Sequence, residues 1–128
     1  AHPDFLLVIS FNPGYQSVLK DLKQSTRQRF VSIDIDYPTA QKETDIVSHE
    51  GRVAPETARQ LVALAHKIRR IREQGLTEGA STRLLIYAAQ LIRRGVPARE
   101  ACRAAICRSL TDDKHLQETM NDLIDDLF

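Results

Sequence analysis

Two kinds of hydrophobic pattern divide the chain. Residues 5–10 form a largely apolar run that leads into Asn-Pro-Gly, and residues 31–37 alternate apolar with polar side chains. The first pattern predicts a strand covered on both faces, and the second predicts a strand near a sheet edge with one face in water. Helices are predicted over residues 15–30 and 39–50. The order strand, helix, strand, helix is typical of the end of an α/β domain.

From Gly51 onward the pattern is helical throughout. Apolar residues recur every three or four positions in four consecutive segments, and each segment opens with a proline, a serine or a threonine that suits a helix start. The predicted starts are Pro55, Ser81, Pro97 and Thr111, and the first two helices end at Gly75 and Gly95. Four such helices can close into a bundle. We therefore predict an α+β, mostly α chain, with an α/β part at residues 1–52 and a helical part at 53–128.

Composition is that of a globular chain, with 42% hydrophobic and 27% charged residues, which argues against disorder. No apolar run approaches the ~20 residues of a membrane helix, and no leader pattern opens the chain, so we expect a cytoplasmic protein with no membrane partner. Because the chain begins at Ala1 without a methionine, we expect it to be a piece of a longer protein. The histidines and cysteines lack metal-ligand spacing, so no metal site is predicted.

Charge is distributed unevenly although the net charge is only +1. Residues 1–50 carry −2, residues 51–110 carry +8 and residues 111–128 carry −5. The basic middle predicts contact with phosphate, with nucleic acid or with the acidic end of the same chain. A nucleic-acid-binding or oligomerisation module is therefore an alternative, although the arginines scatter around the helices and Tyr87 is the one aromatic residue among them.

Polar residues at the predicted element ends are the candidates for chemistry. Asn12 follows the first strand, where its amide could orient an attacking water or touch a γ-phosphate, or could merely form a turn. Arg27 and Arg29 precede the second strand and are either surface ion-pair formers or an arginine finger for a neighbouring subunit. Arg83 lies in the first turn of a helix, where a cation opposes the macrodipole unless an anion is bound there.

Three motifs give these candidates a common setting. They are LVISFNPGYQ at residues 7–16, LKQSTRQRF at 22–30 and GASTR at 79–83. In this order they resemble the back half of MoxR-type AAA+ ATPases, in the CbbQ, NirQ and NorQ branch. Thr82 stands where many relatives have proline, and both residues suit a helix start. The sequence has no Gly-x-x-x-x-Gly-Lys-Ser/Thr phosphate loop, so the chain alone is expected to be inactive.

The resemblance implies roles for the candidate residues. Residues 1–52 would be the last part of the nucleotide-binding domain, with Asn12 as sensor 1, Arg29 as the arginine finger and Arg27 as a possible second. Residues 53–128 would be the helical lid, with Arg83 as the sensor-2 residue that contacts its own subunit's nucleotide. ATP, with Mg²⁺ in the full-length parent, would be bound between the subunits of a ring that is usually a hexamer.

The resemblance also implies partners. Relatives remodel a client enzyme together with a von Willebrand factor A domain protein, and the two client classes are Rubisco, which is reactivated, and nitric oxide reductase, which is matured. Nucleic acid is not an expected partner in this setting. For the chain by itself we expect a dimer or a swapped assembly, because the predicted strand at residues 5–10 would otherwise expose unpaired edges.

Overall fold

The computed structural model describes residues 2–10, 25, 28–71, 76 and 78–128 of the chain. Contacts divide the chain into two compact units, Ala1–Ile35 and Asp36–Phe128. Among the described residues, the apolar core lies wholly in the second unit, from Val47 to Ile124. The second unit therefore carries its own core.

The described residues of the first unit form no strand. Residues 5–10 and 31–35 lack a hydrogen-bonded ladder, and side chains such as Leu6 (81% exposed) and Val31 (92% exposed) lie in solvent. A strand is held by hydrogen bonds to a neighbouring strand, and the described ranges of this unit supply none. The α/β character predicted for residues 1–52 therefore stays a prediction, and the helix predicted over 15–30 falls mostly outside the described residues.

The second unit consists of helices joined by short connections. Its first three helices are α1 (Ala40–Gly51), α2 (Pro55–Ile71) and α3 (Thr82–Arg93). They are followed by α4 (Ala98–Cys102), a π-helical segment (Arg103–Cys107), α5 (Arg108–Leu110) and α6 (Lys114–Leu127). The predicted helical pattern is confirmed, and the helix predicted from Pro97 onward contains a π-helical turn that the apolar spacing did not reveal.

Helix α2 buries one continuous stripe because its apolar positions repeat every three or four residues. The side chains of this stripe are almost completely buried: Ala58, Leu61, Leu64, Ala65, Ile68 and Ile71. Helix α1 packs against both α2 and α3, and α6 packs against α2 and the π-helical segment. The compact unit begins at Asp36 and includes α1, which buries Val47 in the same core. The domain boundary predicted between residues 52 and 53 stays a prediction.

Helix ends follow local capping chemistry. Helix α1 ends at Arg52, which is left-handed with a φ of 52°, and Gly95, with a φ of 93°, follows α3. The last helix is capped by Asp113, whose carboxylate accepts hydrogen bonds from the amides of His115 at 2.9 Å and Leu116 at 3.1 Å. Thr111, the cap expected from the sequence, accepts from the Asp113 amide at 3.1 Å instead, so that prediction is wrong by two residues.

Candidate functional site

Arg83 lies in the first turn of α3, as the sequence predicts. Ser81 is the N-cap residue in extended geometry, but its side chain makes no capping hydrogen bond. The amide of Leu84 donates to the Ser81 carbonyl at 3.0 Å, and the Arg83 side chain is exposed. An exposed guanidinium at the positive end of a helix dipole is unfavourable by itself and suits an anion.

A buried carboxylate lies directly beneath this turn. The Glu43 side chain, on α1, is completely buried and receives a bidentate pair of hydrogen bonds from Arg69 on α2, at 2.9 and 2.6 Å. The Thr82 hydroxyl, one residue before Arg83, donates to Glu43 Oε1 at 2.7 Å. The His66 Nε2 atom lies 3.8 Å from Glu43 Oε2. One carboxylate therefore joins three helices at the start of α3.

Arg69 extends this network to the loop before α3. Its Nε atom donates to the Ala80 carbonyl at 2.8 Å, and its guanidinium lies 3.7 Å from the centre of the Tyr37 ring. A Cβ at Gly79 would lie 3.0 Å from the Tyr37 Oη and 3.1 Å from the Arg69 Cγ. Glycine therefore lets the loop backbone approach Arg69 closely. We call Glu43, Arg69, Thr82 and Tyr37 the Glu43 network.

The electrostatics of the network favour the ionised carboxylate. Burial raises the pKa of Glu43, but hydrogen bonds from Arg69 and Thr82 and the charges of Arg69 and His66 outweigh it, so the pKa lies below its usual value. Among the described residues, no buried side-chain nitrogen or oxygen lacks a hydrogen-bond partner. The network is therefore internally satisfied, and Arg83 is outside it.

The described structure does not test whether the remaining predicted site residues come together. Asn12 and Arg27 lie outside the described residues. Arg29 is exposed and lies in the first compact unit, whereas Arg83 lies in the second. The convergence of Asn12, Arg29 and Arg83 on one nucleotide therefore stays a prediction.

The sequence analysis missed the Glu43 network, although one signal was present. Glu43 precedes Val47 by four residues on a predicted helix, so the two side chains share a face. Both are buried. An acidic residue on the apolar face of a short helix indicates a buried partner of opposite charge, but the local pattern does not distinguish Arg69 from the other arginines of the basic middle.

The two cysteines are core residues. Cys102 and Cys107 are buried and unpaired. Burial, with a contribution from Cys107, raises the pKa of the Cys102 thiol to about 12. Burial also raises the pKa of Cys107 to about 11, although the charges of Arg103 and Arg108 oppose the rise. In the described part of the chain no group of three or more potential ligands could hold a metal ion.

Part of the basic middle is neutralised within the chain. Arg103 contacts both Glu100 and Asp125 at 2.9 Å, and Arg99 lies 3.6 Å from Asp125. The acidic end of the chain thus faces the basic helices, which was one of the three expected partners. These arginines are partly exposed, so the pairs add little stability, but they leave less free charge for nucleic acid.

No helix in the described ranges is long and apolar enough to cross a membrane.

Comparison with known proteins finds similarity over the whole chain. A family model described as CbbQ/NirQ/NorQ C-terminal matches residues 43–127. The protein CbbQ of Hydrogenophilus thermoluteolus is 48% identical over 128 residues, which are 100% of this chain and 48% of that protein. The denitrification regulatory protein NirQ of Pseudomonas aeruginosa is 50% identical over 125 residues, covering 98% of this chain and 48% of that protein.

A third relative agrees with these two. The protein NorQ of Paracoccus denitrificans is 47% identical over 128 residues, covering 100% of this chain and 47% of that protein. The chain thus spans about half the length of the curated relatives it matches. The matched family model includes α1 from Glu43 onward, and the Glu43 network except Tyr37 therefore lies within the matched region.

Proposed function

This chain belongs to the CbbQ/NirQ/NorQ family, a branch of the MoxR-type AAA+ proteins, and we propose that it is the C-terminal part of an ATP-hydrolysing activator of a client enzyme. The observation that carries the proposal is the similarity over the whole chain, together with an exposed Arg83 at the first turn of α3. The proposed lid is the helical unit, and the proposed nucleotide is ATP.

The chemistry of the first turn of α3 fits a phosphate. Arg83 offers a guanidinium that binds phosphate oxygens in a bidentate manner, beside a helix end that favours negative charge. In the proposed mechanism Arg83 binds the terminal phosphates of its own subunit's nucleotide. Arg29 reaches the neighbouring subunit's nucleotide and stabilises charge in the transition state, and Asn12 orients the attacking water. Arg27 is a second candidate for the finger.

In the full-length protein, bound Mg²⁺ would supply positive charge that stabilises the charge developing on the phosphates. The sequence contains no Gly-x-x-x-x-Gly-Lys-Ser/Thr phosphate loop, whose Ser/Thr would be one of the Mg²⁺ ligands. We propose that the phosphate loop and the Mg²⁺ ligands belong to the half of the full-length protein that the relatives have in addition. The chain by itself is therefore expected not to hydrolyse ATP.

The assembly is also a proposal. A finger that acts on a neighbour's nucleotide needs a closed ring of identical subunits, for which a hexamer is the proposed form. The proposed partner is a von Willebrand factor A domain protein, and the proposed client is either Rubisco or nitric oxide reductase. The relative from Pseudomonas aeruginosa is named a denitrification regulatory protein, which supports the second client class for that relative.

Subunit mixing tests the proposed roles of Arg83 and Arg29. In the full-length protein, Arg83→Ala and Arg29→Ala should each lower ATP turnover by about a hundredfold or more. When the two variants are mixed before assembly, about a quarter of the subunit interfaces combine an intact Arg83 with a neighbour's intact Arg29, so turnover should partly return.

The matched control is Arg93→Ala, which removes an exposed arginine from the last turn of the same helix. Its turnover should match that of the unchanged protein. Full activity of Arg83→Ala would overturn the assignment of this residue. Failure of the mixture to regain activity, with rings still formed in sedimentation, would overturn the division of the site between two subunits.

A further inference from the structure

The loop that leads into α3 is attached to the bundle at two points. The Ala80 carbonyl accepts a hydrogen bond from Arg69 Nε at 2.8 Å, and the Thr82 hydroxyl donates to Glu43 at 2.7 Å. These two residues precede Arg83 by three positions and by one. The backbone that carries Arg83 is therefore held from both α1 and α2.

Burial makes this attachment unusual. The side chain of Glu43 is fully buried and that of Arg69 is 11% exposed. A buried ion pair loses the hydration of two charges, and apolar residues of similar size often give equal or greater stability. Stability alone therefore does not explain why an acid and a base occupy this site. Unlike apolar side chains, the pair makes directional hydrogen bonds: Arg69 donates to a loop carbonyl, and Glu43 accepts from a hydroxyl.

The surroundings of the pair restrict its movement. The Tyr37 ring covers one face of the Arg69 guanidinium at 3.7 Å, and Gly79 brings the loop backbone against the stem of Arg69. Both oxygens of Glu43 are used by Arg69, and Oε1 also accepts from Thr82. Because these bonds tie the loop and the start of α3 to both α1 and α2, a shift of the turn before Arg83 would break at least one of them.

We propose that Glu43, Arg69 and Thr82 are positioning residues, which fix the first turn of α3 so that Arg83 is presented to the nucleotide phosphates in one orientation. The inference rests on the proposed function, because there Arg83 is the group that contacts the nucleotide. Thr82 is the direct link, since its side chain ties the residue before Arg83 to the buried carboxylate. Tyr37 and Gly79 support the guanidinium from the loop side.

The sharpest test removes the Thr82 hydroxyl alone. Thr82→Val keeps the size and the β-branched shape of the side chain but cannot donate to Glu43, whereas Thr82→Ser keeps the donor. In the full-length protein, Thr82→Val should lower ATP turnover by about tenfold or more, since small displacements of a catalytic group have effects of that size. Thr82→Ser should restore turnover to near that of the unchanged protein.

A matched control tests whether the loss of any buried hydroxyl, rather than of the bond to Glu43, lowers turnover. Thr44, on α1, is buried and donates to the Ala40 carbonyl at 2.8 Å, within its own helix. Thr44→Val loses a comparable hydrogen bond that does not involve the loop or α3. It should leave ATP turnover unchanged.

A double-mutant cycle with Arg83→Ala tests whether Thr82 acts through Arg83. The effect of Thr82→Val should disappear when Arg83 is already absent, because there is then no guanidinium to misplace. An equal loss of turnover in both backgrounds would overturn the positioning role alone. Unchanged turnover in Arg83→Ala itself would instead overturn the proposed contact of Arg83 with the nucleotide, so the two failures are distinguishable.

Hydrogen exchange supplies a readout that does not depend on catalysis. The Leu84 amide donates to the Ser81 carbonyl at 3.0 Å and closes the first turn of α3. In the full-length protein this amide should exchange about tenfold faster in Thr82→Val than in Thr82→Ser or Thr44→Val, because the turn opens more often. Equal exchange in the three variants would overturn the claim that the network holds this turn.

Discussion

The contact between α1 and α3 depends on the missing side chain of Gly51. A Cβ built at this residue would overlap the Cβ of Ala89 on α3. We expect Gly51→Ala to lower the free energy of unfolding by about 1–3 kcal/mol, because the two helices would have to move apart. Urea denaturation measures the loss. Adding Ala89→Gly should recover part of it, and additive losses in the double variant would contradict the steric explanation.

The stability that Glu43 contributes should depend on pH. Because its folded pKa lies below the ordinary value of 4.5, the ionised carboxylate contributes stability that is fully present above pH 4.5. This contribution is lost as the pH falls through the lowered folded pKa. Glu43→Gln should be less stable at neutral pH, by about 3 kcal/mol, because Arg69 keeps a buried charge without its partner.

Urea midpoints measured from neutral pH into the acid range check this prediction. The difference between the unchanged protein and Glu43→Gln should shrink as the pH falls below 4.5, because the unfolded chain then binds a proton that the folded carboxylate does not bind until its lowered pKa is reached. Glu118→Gln, at an exposed glutamate of α6, is the control and should follow the unchanged protein. A constant difference for Glu43→Gln at every pH would contradict the role of the ionised carboxylate.

Single residues also show how far the sequence predicts the site. Arg83 could be placed in the first turn of a helix because Ser81 and the apolar spacing after it are local signals. The partners of Glu43 could not be found in this way. Arg69 follows it by 26 positions and Thr82 by 39, and hydrophobic periodicity contains no information about which distant polar groups meet in a core.

Helix α1 ends in a conformation that does not suit its residue. Arg52 has a φ of 52° and donates its amide to the Ser48 carbonyl, and a left-handed geometry is costly for residues with a Cβ. Arg52→Gly should therefore raise the free energy of unfolding by up to about 1 kcal/mol. Arg94→Gly is the matched control, since Arg94 ends α3 with a φ of −82°. Chemical denaturation of both variants checks the prediction, and no gain at Arg52 would contradict it.

Among the elements, the helices are confirmed, whereas the strands stay a prediction. An amphipathic helix makes its hydrogen bonds internally, so apolar spacing and caps suffice to locate α1, α2, α3 and α6. Residues 5–10 and 31–35 have the composition of strands, but a strand exists only when a neighbour pairs with it. The π-helical segment was not predicted because one inserted residue barely alters the apolar pattern of a helix.

The two compact units differ in what holds them together. Every described core residue belongs to Asp36–Phe128, whereas the first unit exposes Leu6, Val31 and other apolar side chains. A chain shortened to Asp36–Phe128 should therefore keep its helical circular dichroism and unfold cooperatively. It should also be monomeric in sedimentation, while the complete 128-residue chain self-associates. Loss of cooperative unfolding on shortening would show that residues 1–35 are needed for the bundle.

At the scale of the whole molecule, the order of the motifs predicted the family, which hydrophobic periodicity alone does not indicate. Three short motifs in sequence indicated the family that the comparison shows, because their chemistry is specific even where their structure is not described. The place where one unit ends was not predictable, since the packing of α1 onto α2 and α3 depends on Val47 and Gly51. The local hydrophobic pattern around these two residues does not indicate their distant contacts.

The modification rate of the two buried thiols reports how often the bundle opens. Only a thiolate attacks alkylating reagents quickly, and at neutral pH both Cys102 and Cys107 stay protonated and shielded until the helices around them separate. The speed of their modification therefore counts transient openings of the structure. The chain has no other cysteine and no tryptophan, so this chemical signal can rank the variants described above without attaching a dye.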